Sequence, residues 1–394
     1  MPSLVALVRA CALLVGLAAP ARAVPFLFNM LNTTVTTAAN DGVIYWARGD
    51  NFTPVPGLTL GFILMQGGPG MLRIPHWHPT TVELGTVITG TLRVTVAFDG
   101  THETFLLEPG DTFYSPPGYY HYLEQVSEEN VTMMAVFKTP ALSTLDMTQV
   151  FGQLRAIAPE ALVHTFRTTP QVISALFAHN PNQTKFTFDL PQPNYKYDAS
   201  TLTKKPSCFK FSNLEAGRTA EPYYTGSTIE WLTEGTSPGL MQLSFARVVI
   251  QPGGWREPQW SINADEIAFV MGTGGAKEGI VIGVAGATKA EKNFARLWDF
   301  VWTPAQYVSY FFNNGTAPVT LLLIYDNANP GFISLREAYG VTPKEVLATM
   351  HHAANASVFS TFGSLKDLTP NPPGISGMCP SGAKPTKKPT KKAG

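Results

Sequence analysis

His76 and His78 are separated by one residue, Glu83 follows five positions later, and His121 comes just after the turn Pro116-Pro117-Gly118. Residues two apart on a strand face the same side, so the spacing predicts both imidazoles on one face. Unbroken alternation would send Glu83 to the other face. Pro79, which lacks an N–H, predicts a bend that brings it back. Three neutral imidazoles and one carboxylate are a donor set for a divalent transition metal, and Mn, Fe, Ni, Cu and Zn all accept such ligands. Isolated histidines are usually core or surface residues, whereas H-x-H, then Glu, then P-x-G-x-x-H is a specific order. His102 (at a Gly-Thr-His turn), His164, His179, His351 and His352 form no such set and read as solvated or structural.

The segments that must carry these ligands read as strands. Residues 91–98 (T-L-R-V-T-V-A-F), 104–107 and 131–137 (V-T-M-M-A-V-F) are β-branched or aromatic runs, separated by Asp-Gly, Pro-Gly-Asp and Glu-Glu-Asn turns. Helical stretches follow at roughly Met147 to Phe177 and Pro343 to Phe359. Strands at this spacing without βαβ alternation predict an all-β fold with short helical segments, an antiparallel barrel or sandwich.

Self-comparison shows that the pattern occurs twice. R-I-P-H-W-H-P-T-T-V-E from Arg73 aligns with R-E-P-Q-W-S-I-N-A-D-E from Arg256. G-D-T-F-Y-S-P-P-G-Y-Y-H-Y from Gly110 aligns with W-D-F-V-W-T-P-A-Q-Y-V-S-Y from Trp298, and A-P-E-A-L-V from Ala158 with T-P-K-E-V-L from Thr342. Matches in one order at nearly constant offset indicate a duplicated domain. In the second copy Gln259, Ser261 and Ser309 stand where the first has histidines, and only Glu266 remains. An amide and two hydroxyls do not replace three imidazoles, so no tight metal site is expected there. That copy is then structural, or a pocket put to another use.

The chain has 394 residues, 44% hydrophobic and 14% charged, enough to bury a core in each copy. Lys+Arg 28 balance Asp+Glu 28, which disfavours a nucleic-acid partner. Arg9, the apolar run to Pro20 and Ala21-Arg22-Ala23 have the layout of a secretory signal peptide, too short to span a bilayer. Six N-x-S/T sequons, at Asn32, Asn51, Asn130, Asn182, Asn314 and Asn355, fit a secreted glycoprotein. Beyond the leader only Cys208 and Cys379 remain, a pair that export would allow to form one disulfide. No other segment suits a membrane helix. The tail K-P-T-K-K-P-T-K-K-A-G reads as a basic appendage, either solvated or in contact with polyanions. The expected organisation is a signal peptide (1–23), a metal-bearing N-terminal domain (24–179), a connection (180–221), a C-terminal domain with a degenerate motif (222–362) and the tail (363–394).

These motifs resemble those of cupins. Gly70, His76, His78, Glu83 and Gly90 fit G-x5-H-x-H-x4-E-x6-G. Gly110, Pro116, Gly118 and His121 fit G-x5-P-x-G-x2-H-x3-N, with Gln125 in place of the final Asn. The duplication resembles bicupins of the oxalate decarboxylase type, and E-L-G-T-V-I-T-G (83–90) resembles germins. The resemblance implies duplicated double-stranded β-helix, or jelly-roll, barrels. It implies Mn(II) in the first barrel, held by His76, His78, Glu83 and His121, and oligomers are common in this superfamily. It also implies that Arg73 is catalytic, facing a small carboxylate such as oxalate, with dioxygen as a possible co-reactant. A fixed guanidinium in a dry pocket suits a dianion, although an ion-pair role at the barrel rim is the plainer alternative.

One departure concerns the reaction. Decarboxylases of this type carry a Glu in a lid loop after the last strand of the active barrel. Here the loop F-K-T-P-A-L-S-T-L-D (137–146) contains only Asp146 as an acid. Glu128 and Glu129 belong to an exposed turn beside the Asn130 sequon. Without the lid acid, oxidation of oxalate to CO2 and hydrogen peroxide is the more natural outcome. The resemblance to germins also implies two alternatives: a secreted storage or cell-wall glycoprotein with a structural metal, or superoxide dismutation at the same ion.

Overall fold

The computed structural model describes residues 26–39, 42–47, 59–141, 145–146, 153–178, 186–187, 198–204, 207, 224–234, 242–275, 277–286 and 290–359. The expected leader, the basic tail, both Cys208 and Cys379, His179, Asn51 and Asn182 lie outside these residues. Asn32, Asn130, Asn314 and Asn355 are exposed.

Each copy is an antiparallel β structure. In the first, one sheet runs in the order Leu145–Asp146, Leu72–Trp77, Tyr120–Gln125, Leu92–Phe98, Thr101–Leu107. The facing sheet runs Thr34–Ala39, Gly42–Ala47, Gly61–Gly67, Val131–Phe137, Glu83–Thr89, Thr112–Ser115. Alternation along these strands sends Val94, Val96, Phe105, Leu123, Val87 and Met133 into one core between the sheets. Burying such side chains stabilises by roughly 1.5–3 kcal/mol each before chain entropy is counted. The strand Thr101–Leu107 contains His102, which the sequence suggested as a turn residue; it is exposed there.

The second copy forms one sheet around the long strand Ser244–Ser261, with a core of Val248, Ile250, Val270, Ile282, Phe311 and Leu323. Leu27–Asn29, from the start of the described chain, pairs with Asp299–Thr303 of this sheet. A third core joins the copies: Phe62, Leu64, Leu84 and Val136 of the first meet Phe245, Phe269, Phe300 and Leu322 of the second. The Phe62 and Phe300 rings lie 5.0 Å apart.

The duplication extends to turn geometry. Gly110 has φ 91° and Gly118 φ 78°; their counterparts Trp298 and Gln306 hold φ 70° and 68°. Gly118 N donates to His78 O at 2.8 Å, and Gln306 N donates to Ser261 O at 2.8 Å. The second copy thus keeps the left-handed turns after losing the glycines that adopt them without cost.

The helical stretches are broken where the sequence pattern suggested continuity. Pro159–Phe166 ends at Arg167, which has φ 49°, and Pro170–Phe177 starts anew beneath the Thr169 cap. The later stretch, Pro343 to Phe359, divides into the helix Lys344–Met350 and the 3-10 turn Ala356–Phe359, and a helix that the pattern did not suggest, Leu335–Val341, precedes it. Among the described residues no helix is long and apolar enough to cross a membrane.

Candidate metal centre

His76 and His121 sit opposite each other on neighbouring strands, so one rung of the ladder delivers two imidazoles with ring centroids 4.2 Å apart. His78 follows one residue beyond the strand end at Trp77. Glu83 returns to the site because the chain leaves the first sheet there and Glu83 opens a strand of the facing sheet. The bend expected at Pro79 is therefore a crossing between two sheets.

The ligand atoms of His76, His78, Glu83 and His121 all lie within 4.8 Å of one another, and all four residues are buried. Glu83 Oε2 is 2.9 Å from both His78 Nε2 and His121 Nε2. His76 Nδ1 lies 2.8 Å from Ile74 O and His121 Nδ1 lies 3.0 Å from Tyr119 O. A carbonyl only accepts, so both Nδ1 atoms carry the proton, and each Nε2 is left with its lone pair when the ring is neutral. Ser115 Oγ lies 3.1 Å from the same His121 nitrogen. Backbone fixation of the distal nitrogen is the usual support for a ligating histidine.

Electrostatics agree with that donor set. Burial holds His76 well below its ordinary value, and the positive charge of Arg73 adds to the effect, so the ring is neutral. Burial works to raise Glu83, but in the metal-free site His121 and His78, when protonated, outweigh it and hold the carboxyl far below the usual range. A bound cation would take over that part when the rings are neutral. One anionic oxygen and convergent imidazole lone pairs in a buried site fit a divalent cation.

Arg73 is 5% exposed. Three positions before His76, it would face away under strict alternation. The pairing register between its strand and the His121 strand shifts between His121/His76 and Leu123/Arg73, which reverses the parity. The second copy repeats the shift, between Gln259/Ser309 and Arg256/Phe311. A further neighbour is Phe137, whose ring meets His78 edge-on at 4.8 Å. Asp146, the loop acid, is in register with His76.

At the matching place in the second copy Arg256 Nη1 and Nη2 donate to Glu266 Oε1 and Oε2 at 2.8 and 2.6 Å. Tyr325 donates to Oε2 at 2.7 Å and Ser309 to Oε1 at 3.2 Å. Phe311 lies beneath the guanidinium, 4.3 Å from its carbon. The substitutions at 259, 261 and 309 pointed to a lost metal site, but not to the arginine that fills it. Tyr325 too was missed, though V-T-M-M-A-V-F (131–137) aligns with V-T-L-L-L-I-Y (319–325) and pairs it with Phe137. Of the histidines outside the site, His164, His351 and His352 are exposed.

The Cupin family model matches residues 28–174 and 216–358. Oxalate decarboxylase OxdC of Bacillus subtilis (strain 168) is 31% identical over 140 residues, 35% of this chain and 34% of the relative. The match thus spans about a third of that relative's length. Germin-like protein subfamily T member 3 of Arabidopsis thaliana is 31% identical over 158 residues, 38% of this chain and 68% of the relative. A solved structure concerned with the Mn(II) centres of Bacillus subtilis oxalate decarboxylase superposes with a TM-score of 0.69 at 19% identity, covering 86% of each chain.

Proposed function

The chain belongs to the cupin family, with two cupin repeats, and on that premise we propose that it is a secreted, Mn(II)-dependent bicupin acting on oxalate or a similar small carboxylate, with its chemistry in the first repeat. The observation that carries this reading is the buried His76, His78, Glu83 and His121 cluster with the buried Arg73 three residues before it. Similarity to the oxalate decarboxylase of Bacillus subtilis, an enzyme with Mn(II) centres, supports the choice of metal and substrate.

His76, His78, Glu83 and His121 hold the metal, which supplies a Lewis acid and a redox centre when bound. Arg73 supplies a permanent positive charge for a substrate carboxylate in a site of low dielectric. The Ile74 and Tyr119 carbonyls keep the Nδ1 protons of His76 and His121 in place. Phe137 covers His78 and limits water at that ligand.

The loop after Phe137 has no Glu, so we assign the reaction as oxidation: oxalate, dioxygen and two protons give two CO2 and one hydrogen peroxide. Asp146, in register with His76, is the one acid of that loop able to redirect the reaction toward formate. The test is an oxalate assay on wild type and His78→Ala that measures CO2, formate and peroxide together. Peroxide formed by wild type alone supports oxidation, and formate in its place assigns decarboxylation. Metal retained with neither product would favour a second reading, a germin-like glycoprotein with a structural metal, for which the Arabidopsis relative is the supporting observation.

A further inference from the structure

Lys138 is the residue after the strand Val131–Phe137, and Asp326 the residue after Val319–Tyr325. The two strands are repeat equivalents, so Lys138 and Asp326 are corresponding positions, 188 residues apart. They meet each other across the junction of the repeats. Lys138 Nζ donates to the Asp326 carbonyl and to Thr59 Oγ1 at 3.2 Å, and lies 3.4 Å from Asp326 Oδ2. Thr59 Oγ1 donates to that same Oδ2 at 2.8 Å.

Asp326 is itself fixed by the second repeat. Its Oδ1 accepts from Asp265 N at 2.9 Å, and the Asp265 carboxylate accepts from Trp302 Nε1 at 3.1 Å and Ala305 N at 2.8 Å. The preceding residue, Tyr325, is bonded to Glu266 in the filled pocket. On the other side, the residue before Lys138 is Phe137, whose ring lies against His78. The residues after Lys138 lead to Asp146, opposite His76.

We propose that Lys138 is a positioning residue for the metal centre: clamped to Asp326, it lets the second repeat hold Phe137 against His78 and fix the root of the loop that returns beside His76. The second repeat then serves the first as a rigid support. This inference rests on the metal reading of the first repeat and not on the choice of oxalate as substrate.

The experiment follows release of Mn(II) from the loaded full-length protein into excess EDTA, by elemental analysis of protein desalted at intervals. Variants are Lys138→Met, Asp326→Asn, the double variant and Lys138→Arg, with melting temperature measured on each. Lys138→Met and Asp326→Asn should each speed release about threefold or more, a size typical of coupling through a packed network. The double variant should be no faster than the faster single, because both remove one clamp. Lys138→Arg, which keeps the charge, should restore slow release. Wild-type release rates in both single variants, with only the melting temperature lowered, would overturn the proposal, as would additive effects in the double. Should Lys138→Met fail to fold, Lys138→Gln takes its place in the same comparison. Because the readout is metal release, it is unaffected by failure of the oxalate assay.

Discussion

Arg256 grips Glu266 with both ends of its guanidinium, at 2.8 and 2.6 Å, in the place where three imidazoles gather around Glu83 in the first repeat. Both carboxylates are buried and both need a positive partner. In the second repeat the chain itself provides that charge. The amide of Gln259, assigned with its oxygen toward Arg256, accepts from Nε at 3.1 Å and completes the cage.

Removing one member of so buried a pair strands the other charge. Arg256→Met should therefore destabilise the protein by about 3–5 kcal/mol, measured by denaturant unfolding. Arg256→Met combined with Glu266→Gln should recover much of that loss. A single variant as stable as wild type would mean that Glu266 has another counter-charge.

Motif glycines differ in what they do. Gly110 has φ 91°, and a Cβ there would come within 1.8 Å of Arg247 Nη1 in the second repeat, whereas a Cβ at Gly118 meets open space. Gly118→Ala should cost about 1–2 kcal/mol for the left-handed backbone alone. Gly110→Ala should cost more, since Arg247, bonded to Glu230 by Nε at 2.8 Å, must move as well. Conversely Gln306→Gly, at φ 68°, should stabilise or be neutral, relieving a strained turn at some cost in unfolded-chain entropy. Equal losses at Gly110 and Gly118 would contradict this division.

The ligand set makes the metal-free protein sensitive to acid. His76 is held below its ordinary value of 6.5, so between the two values the unfolded chain binds more protons than the folded one. Stability should then fall as pH drops through about 6.5. Glu83, also depressed, adds a further loss below its ordinary value of 4.5. Melting of metal-free protein from pH 7.5 to 5.5 should show this fall, weakened in His76→Asn. A flat profile would mean that His76 is not neutral in the fold.

Loop chemistry has its own test. If Asp146 donates a proton during turnover, Asp146→Asn should shift products away from formate and toward peroxide with total oxalate consumption kept within about tenfold. An unchanged product ratio would remove Asp146 from the reaction.

The candidate ligands were legible because chemistry constrains them locally: H-x-H, a following Glu and a histidine after a Pro-Gly turn survive in the bare sequence. The duplication was legible for the same reason. The reach of Arg256 to Glu266 was not, since it depends on a register shift between Arg256 and Gln259 that strand alternation does not anticipate. Glu83 likewise reaches the site by changing sheets and not by a bend within one strand. The break at Arg167 inside the predicted helical stretch arises from one left-handed residue that no apolar pattern marks. Lys138 and Asp326 became equivalents only once the last strands of the two repeats were aligned.

Metal content tests the central claim, that one repeat binds the ion and the other has replaced it. Elemental analysis of the full-length protein should give about one transition metal per chain, lost in His78→Ala and retained in Glu266→Gln. About two per chain, or a content that Glu266→Gln lowers and His78→Ala does not, would contradict the account.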